Sequence, residues 1–167
     1  MKKPRLVILR GKPAAGKSTA YANLRKNKKM KDFVFVDHCA MKTELGKEGG
    51  KKELFKELKK VMPSGKEIII EEMSKKSVMK NIHKEIKKYN YEFVVFQFEI
   101  SLKTSKRRDI HRVVDKEHDR KFILDNIEDL HKMHEARFDN EGILVDVNKL
   151  NKKQVVSLIL DSLKLNP

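Results

Sequence analysis

The sequence predicts an α/β fold: a single domain built as a three-layer sandwich, with a parallel sheet of about five strands flanked by helices. Three observations predict it. Five apolar runs are short enough to be strands. Most of them are continuously apolar rather than alternating, which is how strands read when both faces are covered. The segments between them carry helical periodicity, and strands alternating with helices imply right-handed crossovers in one sheet.

The first run is "RLVIL" (Arg5–Leu9), followed by "GKPAAGKST" and a helical stretch "STAYANLRK". The second is "FVFVD" (Phe33–Asp37). From Gly50 to Met62, Leu54, Leu58, Val61 and Met62 recur at three- and four-residue steps and mark a helix. "PSG" at Pro63–Gly65 is a turn signal, and "EIIIE" (Glu67–Glu71) is the third strand. "EFVVFQFEI" (Glu92–Ile100) is the fourth. Between Asp119 and Phe138, Ile123, Ile127, Leu130 and Phe138 mark another helix, and "NEG" at Asn140–Gly142 a turn. "ILVDV" (Ile143–Val147) is the fifth strand. Val155, Val156, Ile159, Leu160 and Leu163 make a final amphipathic helix. No internal repeat, linker or low-complexity tail interrupts the pattern.

Composition narrows the function classes. The 167 residues suggest one domain, large enough to bury a core without staples. The single cysteine, Cys39, cannot form an internal disulfide, which points to a reducing compartment. No stretch approaches the ~20 apolar residues of a membrane helix. The apolar part of the N-terminus, Leu6 to Leu9, is too short for a signal peptide, so a cytoplasmic location is expected. The formal net charge of +15 favours polyanionic partners such as RNA or DNA, although lysine and glutamate enrichment is also a thermophile surface signal.

Gly11, Gly16, Lys17 and Ser18 fit the spacing G-x-x-x-x-G-K-[ST]. Such a loop wraps a phosphate with backbone N–H groups, and glycines permit the positive φ and close approach this needs. Lys17 would reach the β- and γ-phosphates, Ser18 would hold Mg²⁺, and the helix beginning near Lys17 would aim its positive end at the anion. Chance glycine turns fit this spacing in on the order of one per cent of such chains, and fewer still with a strand before and a helix after.

With Pro13 inside the loop and Asp37 ending the second strand, the chain resembles the small P-loop kinases, particularly the polynucleotide 5′-kinase and zeta-toxin-like group. The resemblance implies a P-loop NTPase domain over residues 1–167, with an acceptor-side insert at 38–66 and an arginine-bearing lid at 101–120. It implies ATP and Mg²⁺ as cofactors, with Gly11, Pro13, Ala14, Ala15, Gly16, Lys17, Ser18 and Thr19 around the nucleotide. Ala14 and Ala15 depart from the glycine and serine common in that group; alanine suits those positions if they keep negative φ.

A kinase needs more than the loop: an acceptor-activating carboxylate, an acidic end to the third strand, and arginines that close over the phosphates. Asp37 is the candidate for the first, orienting a hydroxyl and taking its proton. The alternative, less favoured reading is that it caps a helix beginning at "DHCAMKTEL". Glu71 and Glu72 end the third strand, and alignment to the resembling group favours Glu72 as the magnesium residue. Arg108 and Arg112 lie four apart on one helical face in "ISLKTSKRRDIHR", matching that group's R-x-x-x-R, with Arg107 as a spare. The stretch Asp146–Lys149 corresponds to the loop that touches adenine in those kinases.

The histidines suggest no metal site. His38 adjoins Asp37 without further ligands, and His111, His118, His131 and His134 scatter along helical segments. Cys39 reads as a small buried residue.

The acceptor is left open between classes. The stretch from His38 to Lys66 carries Lys42, Lys47, Lys51, Lys52, Lys56, Lys59, Lys60 and Lys66, which suits a nucleic-acid end better than an uncharged sugar. It offers only Phe55 for base stacking, and Phe55 falls on the apolar helical face. The leading expectation is a polynucleotide 5′-kinase. The alternatives are a kinase of a small molecule (nucleoside, nucleotide, sugar or antibiotic), and a basic nucleic-acid-binding or regulatory protein with ATP as ligand.

Overall fold

A computed structural model of the chain describes residues 3–71, 76–110, 125–133 and 142–165. Strand β1 (Arg5–Gly11) lies at the centre of a five-stranded sheet. It is flanked by β3 (Ile68–Glu71) and β4 (Glu92–Glu99), while β2 (Val34–Val36) and β5 (Ile143–Asp146) form the edges. The order is β2-β3-β1-β4-β5 and every neighbouring pair is parallel. Each strand coincides with one of the five apolar runs to within about two residues.

Both faces of the sheet are covered, as the continuous apolar runs require. Val7 and Leu9 of β1, with Ile69, Phe96, Phe98 and Val145, face helices α1 (Lys17–Arg25) and α6 (Lys152–Ser162), which contribute Ala20, Tyr21, Leu24, Val155, Ile159 and Leu160. Leu6 and Ile8, with Val36, Ile68 and Ile70, face α2 (His38–Val61) and α3 (Lys76–Tyr89), which contribute Leu54, Leu58, Val78, Met79, Ile82 and Ile86. Leu6, Val7, Ile8 and Leu9 are all fully buried. Truncating any one of them to alanine costs about 2–5 kcal/mol by lost transfer energy and the cavity left behind.

Two elements differ from the sequence expectation. The helix expected over Gly50–Met62 begins twelve residues earlier, at His38, and is broken where Gly46 takes φ 72°, ψ 175°. The two segments fold closely onto each other: a Cβ on Gly50 would lie 2.7 Å from the backbone nitrogen of Lys42. Helix α3 lies between the third and fourth strands, where the sequence reading marked no individual positions, although Val78, Met79, Ile82 and Ile86 fall on one face and are all buried. Helices α4 (Leu102–Ile110) and α5 (residues 125–133) follow β4. Lys106 and Glu128 form an ion pair between them, which holds the Glu128 carboxyl below its ordinary pKa.

The amino-terminal rim of the sheet is pinned by polar staples. Arg5 donates from Nε to Glu67 Oε2 at 2.8 Å, and from Nη1 to the Leu163 carbonyl. Its guanidinium also lies over the Phe33 ring. The Tyr91 hydroxyl is 3.1 Å from the Met62 carbonyl and 2.8 Å from that of Lys66. Among the described residues, no helix is long and apolar enough to cross a membrane.

Candidate active site

The opposite, carboxyl-terminal rim carries the chemistry-bearing residues. The chain leaves β1 toward β2 on one side and leaves β3 toward β4 on the other, so the boundary between β1 and β3 is the point where the connections diverge. Open α/β sheets bind ligands in the crevice at such a point.

Gly11 ends β1 with φ 150°, and a Cβ there would lie 2.2 Å from the Phe98 carbonyl oxygen. Only glycine lets β4 approach so closely. The loop then turns back, with Ala15 N donating to the Lys12 carbonyl. Gly16 caps α1 in a left-handed conformation (φ 85°, ψ 17°) and brings no side chain to the cap. The N–H groups of a first helical turn have no intrahelical partner. The first turn of α1 contains no acidic residue that would repel an anion. Lys17 is buried, and its ammonium donates to the Gly11 and Lys12 carbonyls, both at 2.9 Å. The result is a concave nest of backbone donors with one cation folded into it.

Ala14 corrects an expectation. It adopts φ 55°, in the left-handed region, so the condition of negative φ under which alanine suits this position is not met. The loop geometry overrides the steric preference at a cost of about 1–2 kcal/mol.

Ser18, the next residue of α1, donates from Oγ to Glu71 Oε1 at 2.6 Å. Glu71 is the last residue of β3 and is buried. The acidic residue brought to the loop is therefore Glu71. Glu72, expected in that place, lies outside the described residues.

Asp37 follows β2 and caps α2, its Oδ1 accepting from Ala40 N at 2.9 Å. Tyr21 packs edge-on against Phe35, and its hydroxyl is buried with no hydrogen-bond partner among the described residues. Burial first, and then the Asp37 charge, push the Tyr21 phenol well above its ordinary pKa. Cys39 is half-buried, with Sγ 4.0 Å from the Glu71 carbonyl oxygen. Its thiol is held above the usual range by burial and then by Glu71. His38 is fully buried, and burial followed by the Lys42 charge lowers its pKa to about 4.

The third side of the rim comes from β4, α4 and the loop after β5. Ser105 of α4 is fully buried and donates to the Pro13 carbonyl at 2.9 Å, fastening that helix to the glycine loop. Arg108 lies one turn further on, and its Nη2 donates to the Val147 carbonyl at 3.1 Å. The loop is held in turn by Val147 N to the Glu99 carbonyl and by Ser101 N to Asn148 Oδ1. Asp146 accepts from the side chain and backbone of Asn148, which keep its carboxyl below the ordinary range. Beneath the loop runs a polar chain. Arg10 donates to Gln97 at 2.7 Å, Gln97 donates to Glu99 at 2.9 Å, and Glu99 pairs with Lys12 at 3.0 Å.

No protein-family model matches the chain, and no curated protein matches it. Solved structures do. Gluconokinase from Sinorhizobium meliloti 1021 is similar with a TM-score of 0.65 at 14% identity, over 98% of this chain and 94% of that one. Kti12 from Chaetomium thermophilum, solved in complex with ADP-AlF3, is similar at 0.62 and 17% identity, over 93% of this chain and 97% of that one. A chain of the Pnkp1/Rnl/Hen1 RNA repair complex is similar at 0.56 and 17% identity, over 83% of this chain and 47% of that one. The fold is shared with P-loop kinases.

Within this kinase fold the structure gathers Gly11 to Ser18, Glu71 and Asp37 on one rim, with Arg108 on the α4 side of the loop. Arg107 is exposed. Arg112, His111, His118 and His134 lie outside the described residues. Among the described residues no three His, Cys, Asp or Glu side chains converge into a metal site. Sequence reasoning missed Ser105 and Tyr21. A serine inside a basic helix and a tyrosine on an amphipathic one carry no local signal, and only the tertiary approach reveals them.

Proposed function

We propose that the chain is an ATP- and magnesium-dependent kinase that transfers the γ-phosphoryl group to a hydroxyl, the acceptor being the 5′-hydroxyl of an RNA or DNA end. The observation carrying the kinase reading is the junction of the glycine loop, Ser18 and Glu71, with Asp37 at the neighbouring strand tip.

Lys17 and the first-turn N–H groups of α1 bind the donor phosphates. Ser18 and Glu71 are hard oxygen donors side by side, which fits magnesium, a cation that keeps water and phosphate oxygens as its other ligands. Magnesium, when bound, supplies neutralisation of charge on the phosphate oxygens. Asp37 orients the acceptor hydroxyl and takes its proton. Capping and proton transfer are compatible, because Oδ1 serves the cap and a carboxylate has a second oxygen. Arg108 has one of its donors on Val147 and keeps others for phosphate oxygens. Arg112 joins it in this reading.

The nucleic-acid acceptor is supported by the net charge of +15, by the lysines between His38 and Lys66, and by the likeness to a chain of an RNA repair complex. A second reading, a small polyol or sugar-acid acceptor, is favoured by the likeness to gluconokinase over nearly the full length of both chains. One assay separates them. Labelled ATP and Mg²⁺ are offered with 5′-hydroxyl RNA, 5′-hydroxyl DNA and a panel of gluconate, sugars and nucleosides at low salt. Transfer to an oligonucleotide end is expected. Transfer only to a small molecule replaces the acceptor, and no transfer or ATP turnover at all refutes the kinase reading.

A further inference from the structure

We infer that the groove between α2 and α3 is a track for the phosphodiester backbone of a single-stranded nucleic acid, with Phe55 as the surface on which a base stacks. The groove has a volume of about 690 Å³, and its lining includes Lys51, Lys52, Lys59 and Lys84, with Phe55 among them. None of these four lysines has an ion pair among the described residues, whereas Lys56, also on the groove, pairs with Glu53 at 3.2 Å. The lining also includes Glu48 and Glu85, so lysine outnumbers glutamate there. Phe55 is packed at its base against the α2–α3 core cluster and remains partly exposed. Unpaired cations flanking a half-open aromatic ring are what sequence-tolerant single-strand binding requires: charge for the backbone, a flat apolar face for a base.

The path of the groove fits a chain rather than a point ligand. Helices α2 and α3 both leave the carboxyl-terminal rim of the sheet and run toward the opposite rim. Glu48 to Lys59 covers about 16 Å of helix. A strand whose end lies at the proposed acceptor position would continue down this groove, and in that respect the inference rests on the proposed function. Glu85 and Asn81 add polarity suited to base edges. The Glu85 Oε2 atom has no hydrogen-bond partner among the described residues, and a base amino group or a ribose hydroxyl supplies the donor it lacks.

The test reads binding without ATP. Fluorescence anisotropy of a labelled 5′-hydroxyl oligouridylate is followed across a salt series from about 50 mM upward. The groove variant Lys52→Gln/Lys59→Gln/Lys84→Gln is compared with Lys152→Gln/Lys153→Gln/Lys164→Gln on and after α6, which removes the same charge from the other face of the sheet. The groove variant should weaken binding more than about tenfold and make the log–log salt slope shallower by about 2, while the α6 variant changes affinity by no more than about twofold. Phe55→Leu, which keeps the apolar packing, should weaken binding about fivefold with the slope unchanged. Thermal melts and ATP affinity should be unaltered in all three. Equal weakening by the two lysine triples overturns the inference, because binding is then a property of net charge. So does failure of the parent protein to bind at the lowest salt, or displacement of the oligonucleotide by polyglutamate at equal charge, which assigns the groove to an acidic peptide. Binding lost with the groove variant in a protein that phosphorylates no oligonucleotide sinks the acceptor reading and leaves the groove; transfer to oligonucleotides that ignores the groove variant sinks the groove alone.

Discussion

Ser18 Oγ and Glu71 Oε1, 2.6 Å apart, join the first turn of α1 to the last residue of β3 across the divergence point of the sheet. The serine hydroxyl donates and the carboxyl oxygen accepts. Glu71→Gln preserves the shape and removes the charge. Transfer is expected to fall by about 10–100-fold, with nucleotide affinity in EDTA nearly unchanged. Kinetics with varied magnesium check this, since the deficit should shrink as magnesium rises. Glu72→Gln run in parallel should behave like the parent protein.

Asp37 separates its two roles by substitution. Asparagine caps a helix about as well as aspartate but takes no proton, so Asp37→Asn should keep the melting temperature and lose transfer by at least about 10²-fold. Asp37→Ala should lose transfer and also about 1 kcal/mol of stability, because the Ala40 N–H then has no partner. Urea unfolding alongside the transfer assay reads both quantities. An Asp37→Asn protein with full activity would leave Asp37 as a cap only.

Ala14 at φ 55° is strained, and glycine is not. Ala14→Gly should therefore stabilise the fold, by less than the full strain because glycine also gains freedom in the unfolded chain. A net gain of up to about 1 kcal/mol corresponds to a rise of about 2–4 °C in a domain of this size. Calorimetry measures it, and a fall in melting temperature would contradict the assignment of strain to this residue.

His38 makes stability depend on pH in a defined direction. Its folded pKa of about 4 lies below the ordinary value of 6.5, so the unfolded chain binds the extra proton between those values. Its contribution is fully present above about pH 6.5 and is lost as pH falls toward 4, at up to about 1.4 kcal/mol per pH unit. His38→Gln should flatten the dependence in that window. Urea midpoints measured at intervals from neutral to mildly acidic pH provide the comparison.

The sheet was legible because its central strands β1 and β3 are buried on both faces, and continuous apolar runs such as Ile68–Ile70 suit such strands. The glycine loop was legible because Gly11 meets a close approach that a Cβ would block and Gly16 takes a positive φ that glycine adopts without strain. Helix α3 carried a readable signal in Val78, Ile82 and Ile86, masked by the lysines and histidine around them. The break at Gly46 was harder. A glycine among "LGKEGG" announces flexibility without saying whether the helix ends or turns on itself, and the answer depends on Gly50 meeting the Lys42 backbone. That Glu71 meets Ser18 depends on where β3 stops, a boundary that adjacent identical residues cannot mark, and Glu72 lies outside the described residues. Ala14 misled because local preference opposed what the loop imposes.

The staples at Arg5 and Tyr91 sit on the rim opposite the glycine loop. These staples hold that rim independently of the Ser105–Pro13 and Ser18–Glu71 contacts at the loop. Exposed residues of α2 such as Lys52 and Lys59 are free to change without touching those staples. A scaffold so divided can vary its exposed α2 surface while keeping its sheet, and this chain shares its fold with gluconokinase at 14% identity and with a chain of an RNA repair complex at 17%.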